Sequence, residues 1–179
     1  MTWNSSLYAN TTIYGLFPIT IGRLNAIRHV LTPTISYNYT PDFSNPKFGY
    51  FQQNNPSGEP VDYFQGYSPT PKNEKRYYSL SINNLFQAKI HNESGGYDKI
   101  NFLTLNSSIS YYPLEKGRSK LKDLTSNMTI KNLSGHDLVI ISMRHNFYTL
   151  DEKKLIDIWK GELPRLTRMS ISTDMKFKL

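Results

Sequence analysis

Residues 78 to 91 alternate between apolar and polar side chains almost without error. One parity reads Tyr78, Leu80, Ile82, Asn84, Phe86, Ala88, Ile90; the other reads Ser79, Ser81, Asn83, Leu85, Gln87, Lys89, His91. Successive strand side chains point to opposite faces, so a period of two makes one apolar and one polar face. Ordinary strands run about 5–6 residues. This one is long enough for the roughly 9–11 tilted residues that carry a strand across a bilayer.

The rhythm recurs. Ile35, Tyr37 and Tyr39 oppose Thr34, Ser36 and Asn38. Leu103, Leu105, Ile109 and Tyr111 oppose Thr104, Asn106, Ser108 and Ser110. Leu124, Met128 and Ile130 oppose Thr125, Asn127, Thr129 and Lys131. Val139, Ile141, Met143 and Phe147 oppose Ser142, Arg144 and Asn146, with Leu138 and Ile140 blurring the pattern. Met169, Ile171, Thr173, Met175, Phe177 and Leu179 oppose Ser170, Ser172, Asp174, Lys176 and Lys178. So many alternating segments in one chain predict an all-β fold: an antiparallel meander of seven long strands. We place them at 5–17, 27–39, 76–91, 99–112, 124–132, 138–148 and 165–179.

The connections alternate in length. Residues 18–26, 92–98 and 133–137 are short, the last two with Gly95-Gly96 and Ser134-Gly135; residues 40–75, 113–123 and 149–164 are longer. Tight turns at one end and longer loops at the other mark outer-membrane barrels. We therefore expect residues 1–179 to be part of a transmembrane β-barrel domain, with 40–75 its long outer loop. That loop holds six prolines, which exclude regular structure, and many aromatics, which argue for a folded cap over a disordered linker. Residues 151–160 suit one or two amphipathic turns. Seven strands leave two open edges, whereas bacterial single-chain barrels close with even numbers. The expectation is an internal segment of a larger barrel.

Hydropathy agrees. Mean hydropathy is −0.52, and no run approaches the about 20 apolar residues of a membrane helix. A barrel with a wet interior is expected to look this hydrophilic. The start, Met1-Thr2-Trp3-Asn4, has neither the basic region nor the apolar stretch of a signal peptide.

Chemistry-bearing patterns are sparse. Without cysteine there are no disulfides, thiolate nucleophiles or cysteine metal sites. His29, His91, His136 and His145 lack metal spacing, and none pairs with a carboxylate and a nucleophile. Asp151, Glu152 and Asp157 read as surface charge. The chain is read as non-enzymatic, with no catalytic residue, cofactor or metal. A formal charge of +7 suits nucleic acid, anionic lipid or a phosphorylated glycolipid. The basic residues are scattered, with Lys72–Arg76 and Lys116–Lys122 the densest runs, so nucleic acid is not assigned as a partner. Seven Asn-x-Ser/Thr sequons are what an Asn/Ser/Thr-rich strand protein produces by chance.

The segment Arg28-His29-Val30-Leu31-Thr32-Pro33-Thr34-Ile35-Ser36-Tyr37-Asn38-Tyr39-Thr40-Pro41-Asp42-Phe43 resembles a signature of the LPS-assembly protein LptD family, in its barrel domain. Arg28, His29, Leu31, Pro33, Tyr37 and Pro41 carry the likeness. Tyr14-Gly15-Leu16-Phe17-Pro18, Asn84-Leu85-Phe86 and Pro164-Arg165-Leu166-Thr167 look like a divergent branch of it. The resemblance implies an outer-membrane barrel that receives lipopolysaccharide from a periplasmic Lpt bridge and inserts it into the outer leaflet. It also implies a plug lipoprotein resembling LptE inside the barrel. The family's gate strands lie at the barrel's first and last positions, so no gate residue is carried over.

In that setting Tyr78, Leu80, Ile82, Phe86 and Ala88 face lipid, and Ser79, Ser81, Asn83 and Gln87 face the lumen. Pro33 inside a strand pattern reads as a bulge or as a flexible seam. Arg28 and His29 read as a satisfied polar pair, or as lumen or phosphate contacts. Two other classes fit the same strands: a passive channel or receptor barrel, and a soluble all-β carbohydrate-binding module. Detergent dependence separates the last from the others; an upstream jellyroll separates lipid export from a channel.

Overall fold

The computed structural model describes residues 2–52, 58, 60–63, 69–116, 120–132, 136–150 and 154–173. Strands β1 (Ser5–Asn10), β2 (Ile13–Ile21), β3 (Leu24–Thr40), β6 (Lys75–His91), β7 (Tyr97–Tyr111), β8 (Leu124–Lys131), β9 (Asp137–Asn146) and β10 (Arg165–Thr173) form one antiparallel sheet. Strands β4 (Phe51–Gln52) and β5 (Val61–Asp62) form a separate small hairpin. The order β1-β3-β6-β7-β8-β9-β10, with β2 also on β3, is a simple meander. The sheet does not close: β1 and β2 share one edge and β10 forms the other. An open sheet of strands this long is what a segment of a larger barrel looks like.

The expected strands are present. The two longest, β3 and β6, each run 17 residues and pair along nearly their whole length. The meander places the long connections 41–74, 112–123 and 147–164 at one end and the short turns at the other. Of the sequence expectations, the Ser134-Gly135 turn, Asp151 and Glu152, the strand beyond Thr173, and parts of loops 40–75 and 116–122 lie outside the described residues.

The described residues form no second layer over the large sheet. Among the described residues the buried hydrophobic ones are only Ala26, Phe43, Ala88 and Tyr148. Phe43, just past β3, is 1% exposed, with rings of Trp3, Phe48 and Tyr50 within 5.0–6.2 Å. The Thr70 amide and hydroxyl both donate to the Asp62 carboxylate, at 2.8 and 2.9 Å. The described part of the long loop is thus folded back on the strand ends. In the last loop, one turn is present within 151–160, a 3-10 turn at Ile158–Lys160; Asp157 caps it and Gly161 ends it at φ 84°.

Pro33 makes a gap rather than a bulge. Asn10 opposes Thr34 and Ile13 opposes Leu31, so the register is the same on both sides of residues 11–12. On the other side Pro33 opposes Ile82 in unbroken pairing. The Thr11 amide donates to the Pro33 carbonyl at 3.3 Å. In an antiparallel ladder a residue's N–H and C=O point to the same neighbour. The donor that proline lacks therefore faces Thr11, and β1 and β2 are one strand with a missing rung. Replacing Pro33 by Val is expected to restore that rung and add about 0.5–1.5 kcal/mol of stability. Amide exchange checks it: the new N–H at position 33 should be protected, and free exchange there would show that proline is not the cause of the gap.

The true irregularities lie elsewhere. Phe86 opposes Leu103 and Gln87 opposes Asn101, leaving Phe102 as the extra residue of a bulge. A second bulge falls between Leu166 and Arg168. Bulges increase local twist and bend a strand, as a curved wall requires.

Candidate functional site

Register turns the alternation of single strands into two continuous faces, because residues directly opposite in an antiparallel pair share a face. On the first, Leu7, Tyr37, Tyr78 and Tyr111 lie in one row. Ala9, Ile35, Leu80 and Ile109 form the next. Further along, Leu105, Met128, Ile141 and Ile171 continue it to the far edge. Tyr78, Leu80, Ile82, Phe86 and Ala88 therefore sit on one apolar surface. Much of it is uncovered: Leu7 is 71% exposed and Ile171 58%.

Ser79, Ser81, Asn83 and Gln87 occupy the opposite face, within rows of small polar side chains. One row runs Asn10, Thr34, Ser81, Ser108, Thr125, Arg144, Arg168. The next runs Thr32, Asn83, Asn106, Asn127, Ser142, Ser170. Cross-strand hydrogen bonds tie them: the Ser36 and Ser79 hydroxyls at 2.6 Å, Ser108 and Thr125 at 2.9 Å, and Ser142 donating to Asn127 at 2.7 Å. Gln87 donates to the Asn101 carbonyl oxygen at 2.8 Å. This face is a surface of hydroxyls and amides, chemistry suited to sugars and phosphates. One row breaks the rule, with Tyr14, Val30, Leu85 and Ile140 on the polar side. That row explains why Ile140 blurs the pattern in sequence; Leu138 is the extra residue where the β8–β9 register shifts between Ile130 and Lys131.

The motif residues divide between the faces. Arg28 and His29 are not a pair; adjacent in a strand, they point opposite ways. Arg28 is on the polar face, its guanidinium 4.7 Å from the Tyr14 ring centroid, with a long contact of 3.4 Å to Gln87. His29 is on the apolar face, stacked on Phe86 at 4.3 Å and hydrogen-bonded to Asn84 at 3.0 Å. Asn84 in turn donates to the Leu105 carbonyl at 3.3 Å, so the polar intrusion is satisfied within the sheet. Leu31 and Tyr37 share the apolar face, Tyr37 5.0 Å from Tyr78. Pro41 ends β3 at the long loop.

Sequence alone does not give the faces or partners of two basic residues on β10. Arg168 stands directly opposite Arg144, and Arg165 opposite Asn146 on the same polar face. Strand parity alone puts Arg165 on the apolar side; the bulge at Leu166–Arg168 moves it over. Among the described residues, no group of three or more His, Cys, Asp or Glu could hold a metal ion.

A family model described as LptD protein matches residues 1–148. The chain belongs to the LptD family. No curated protein and no solved structure matches it. LptD proteins are outer-membrane proteins of lipopolysaccharide transport and assembly, not an enzyme family, and that is the role this chain has at the level of the family. The LptD match covers every strand through β9. It includes the whole Arg28–Pro41 segment and the strand β6 on which the two faces are clearest.

Proposed function

We propose that this sheet is part of the wall of an outer-membrane barrel through which lipopolysaccharide reaches the outer leaflet. Tyr78, Leu80, Ile82, Phe86 and Ala88 lie against lipid. Ser79, Ser81, Asn83 and Gln87 line the interior. The observation that carries this reading is the register: it joins the alternation of the strands into one mainly polar and one mainly apolar face, with no second layer over either among the described residues. Hydroxyls and amides on the inner wall accommodate sugar headgroups, while acyl chains leave only where strands part. A plug lipoprotein resembling LptE fills the interior, a periplasmic Lpt bridge delivers the lipid, and the long connections 41–74, 112–123 and 147–164 are outermost.

Photocrosslinking tests it. A photoreactive residue at Asn83, in the protein in its native membrane, is expected to trap lipopolysaccharide during transport. The same probe at Ile82 is expected to trap bulk phospholipid. Trapping of lipopolysaccharide at Ile82 but not Asn83 would invert the two faces, and trapping at neither would favour a passive channel.

Sidedness gives a separate check. Protease added to intact cells is expected to cut within 41–74 and 147–164 and to spare 92–96. Cleavage at 92–96 in sealed cells would overturn the orientation.

A further inference from the structure

Charge on the polar face is nearly all of one sign. In the large sheet the register puts one acidic side chain there, Asp137, which Lys131 holds at 3.3 Å; just before β8, Asp123 accepts a hydrogen bond from Asn146 at 2.7 Å. The basic side chains outnumber these, and twice they stand directly opposite one another: Lys89 opposite Lys99, and Arg144 opposite Arg168. Like charges directly opposite across a ladder are destabilising. Lys89 has some compensation, its ammonium 3.8 Å from the Tyr97 ring centroid. Arg144 and Arg168 have none: among the described residues neither guanidinium has an ion pair, a hydrogen bond or a ring contact.

Their surroundings form a site. The two arginines line a concavity of about 360 Å³ with Thr125, Asn127, Ser142 and Ser170. A water molecule's share of liquid is about 30 Å³, so the space exceeds what a bare ion needs. Beside it, the Nε of Arg165 is buried with no hydrogen-bond partner. Unpaired guanidinium groups amid hydroxyls and an amide ask for an anion. Arginine's planar fork matches the oxygens of a phosphoryl group two at a time. Directly opposed positions have Cβ atoms about 4.5–5.5 Å apart, close enough for two forks to share one such group.

We propose that Arg144 and Arg168 form an anion-binding station on the polar face that takes a phosphoryl group, as carried by a phosphorylated glycolipid headgroup. The station rests on the interior position proposed for this face. It gives a passing headgroup a foothold on the wall, with Thr125, Asn127, Ser142 and Ser170 meeting sugar hydroxyls.

Binding to the detergent-extracted protein tests it, with lipopolysaccharide, its dephosphorylated counterpart and inorganic phosphate as probes. Arg144→Gln and Arg168→Gln are each expected to weaken lipopolysaccharide binding about tenfold, the loss of one charge-assisted contact. The dephosphorylated lipid is expected to bind weakly and equally to all variants. Mobility in unheated detergent gels reports whether each variant is folded. Should the Gln variants misfold, Arg144→Lys with Arg168→Lys decides: it keeps charge but loses the fork, and is expected to bind several-fold more weakly than wild type.

Competition by inorganic phosphate would identify free phosphate as an occupant; indifference to it would identify the headgroup. Either result upholds the station. Folded variants that bind like wild type would overturn it, as would a wild type that binds both lipids equally. Wild-type protein that binds neither lipid would instead sink the transport function itself.

Discussion

Arginine at Leu80 is expected to cost about 2–4 kcal/mol in a membrane-refolding titration, while arginine at Ser81 costs much less. The two positions are neighbours on β6 and have the same backbone environment. Leu80 sits between Ile35 and Ile109 in an apolar row. Ser81 sits between Thr34 and Ser108 in a polar one. A guanidinium at 80 must enter hydrocarbon or drag water with it, whereas at 81 it enters a wet interior. Ile82 and Pro33 share that face with Leu80, and the polar side chain diagonal to it, Ser107, is already hydrogen-bonded to Ser126 at 2.9 Å. Equal costs at the two positions would mean that neither face is in lipid, and the assignment of both would fall.

Most of the fold was legible because alternation is a direct consequence of strand geometry. Each strand end that falls among the described residues lies within a few residues of its expected place, and the split of β6 into two faces needed nothing beyond counting by two. Three things were harder to read. The bulge at Phe102 leaves a trace, since Ile100 and Phe102 are apolar in one frame and Leu103 and Leu105 in the other, but two adjacent apolar residues do not by themselves say that a strand carries an extra residue. At Pro33 the sequence leaves a bulge and a weakened seam both open, because it shows that proline lacks a donor but not which neighbour the donor would face; the structure has the weakened pairing. The Arg144–Arg168 pairing depends on register across a loop of 18 residues and on a bulge three residues into β10. Parity gave the face of Arg144; nothing in one strand tells which residue stands opposite it in the next. Family membership was carried by Arg28–Pro41, yet the same segment misled in one respect. Adjacent Arg28 and His29 look like a pair in a string of letters and are separated by the thickness of the sheet.

The 179-residue chain by itself is expected to require detergent. Edge strands β2 and β10 each present a row of unpaired backbone N–H and C=O groups. In hydrocarbon each such group costs several kcal/mol, so the sheet cannot sit in a bilayer with both edges open. Nor can it close on itself in register: with seven strand positions, both edges included, running antiparallel, β2 and β10 point the same way, and an antiparallel ladder between them is impossible. Water is no better. Leu7, Leu16 and Ile21 are about 70% exposed beside one open edge, and Ile171 and Met169 are half exposed beside the other. Exposed apolar strands with free backbone groups recruit further strands, which makes aggregation the expected outcome in aqueous buffer. Size-exclusion chromatography with light scattering, run with and without detergent, measures this directly. A monodisperse monomer in plain buffer that also melts cooperatively would remove the membrane assignment, because a single-layer sheet with only four buried hydrophobic residues among those described has no other means of standing alone.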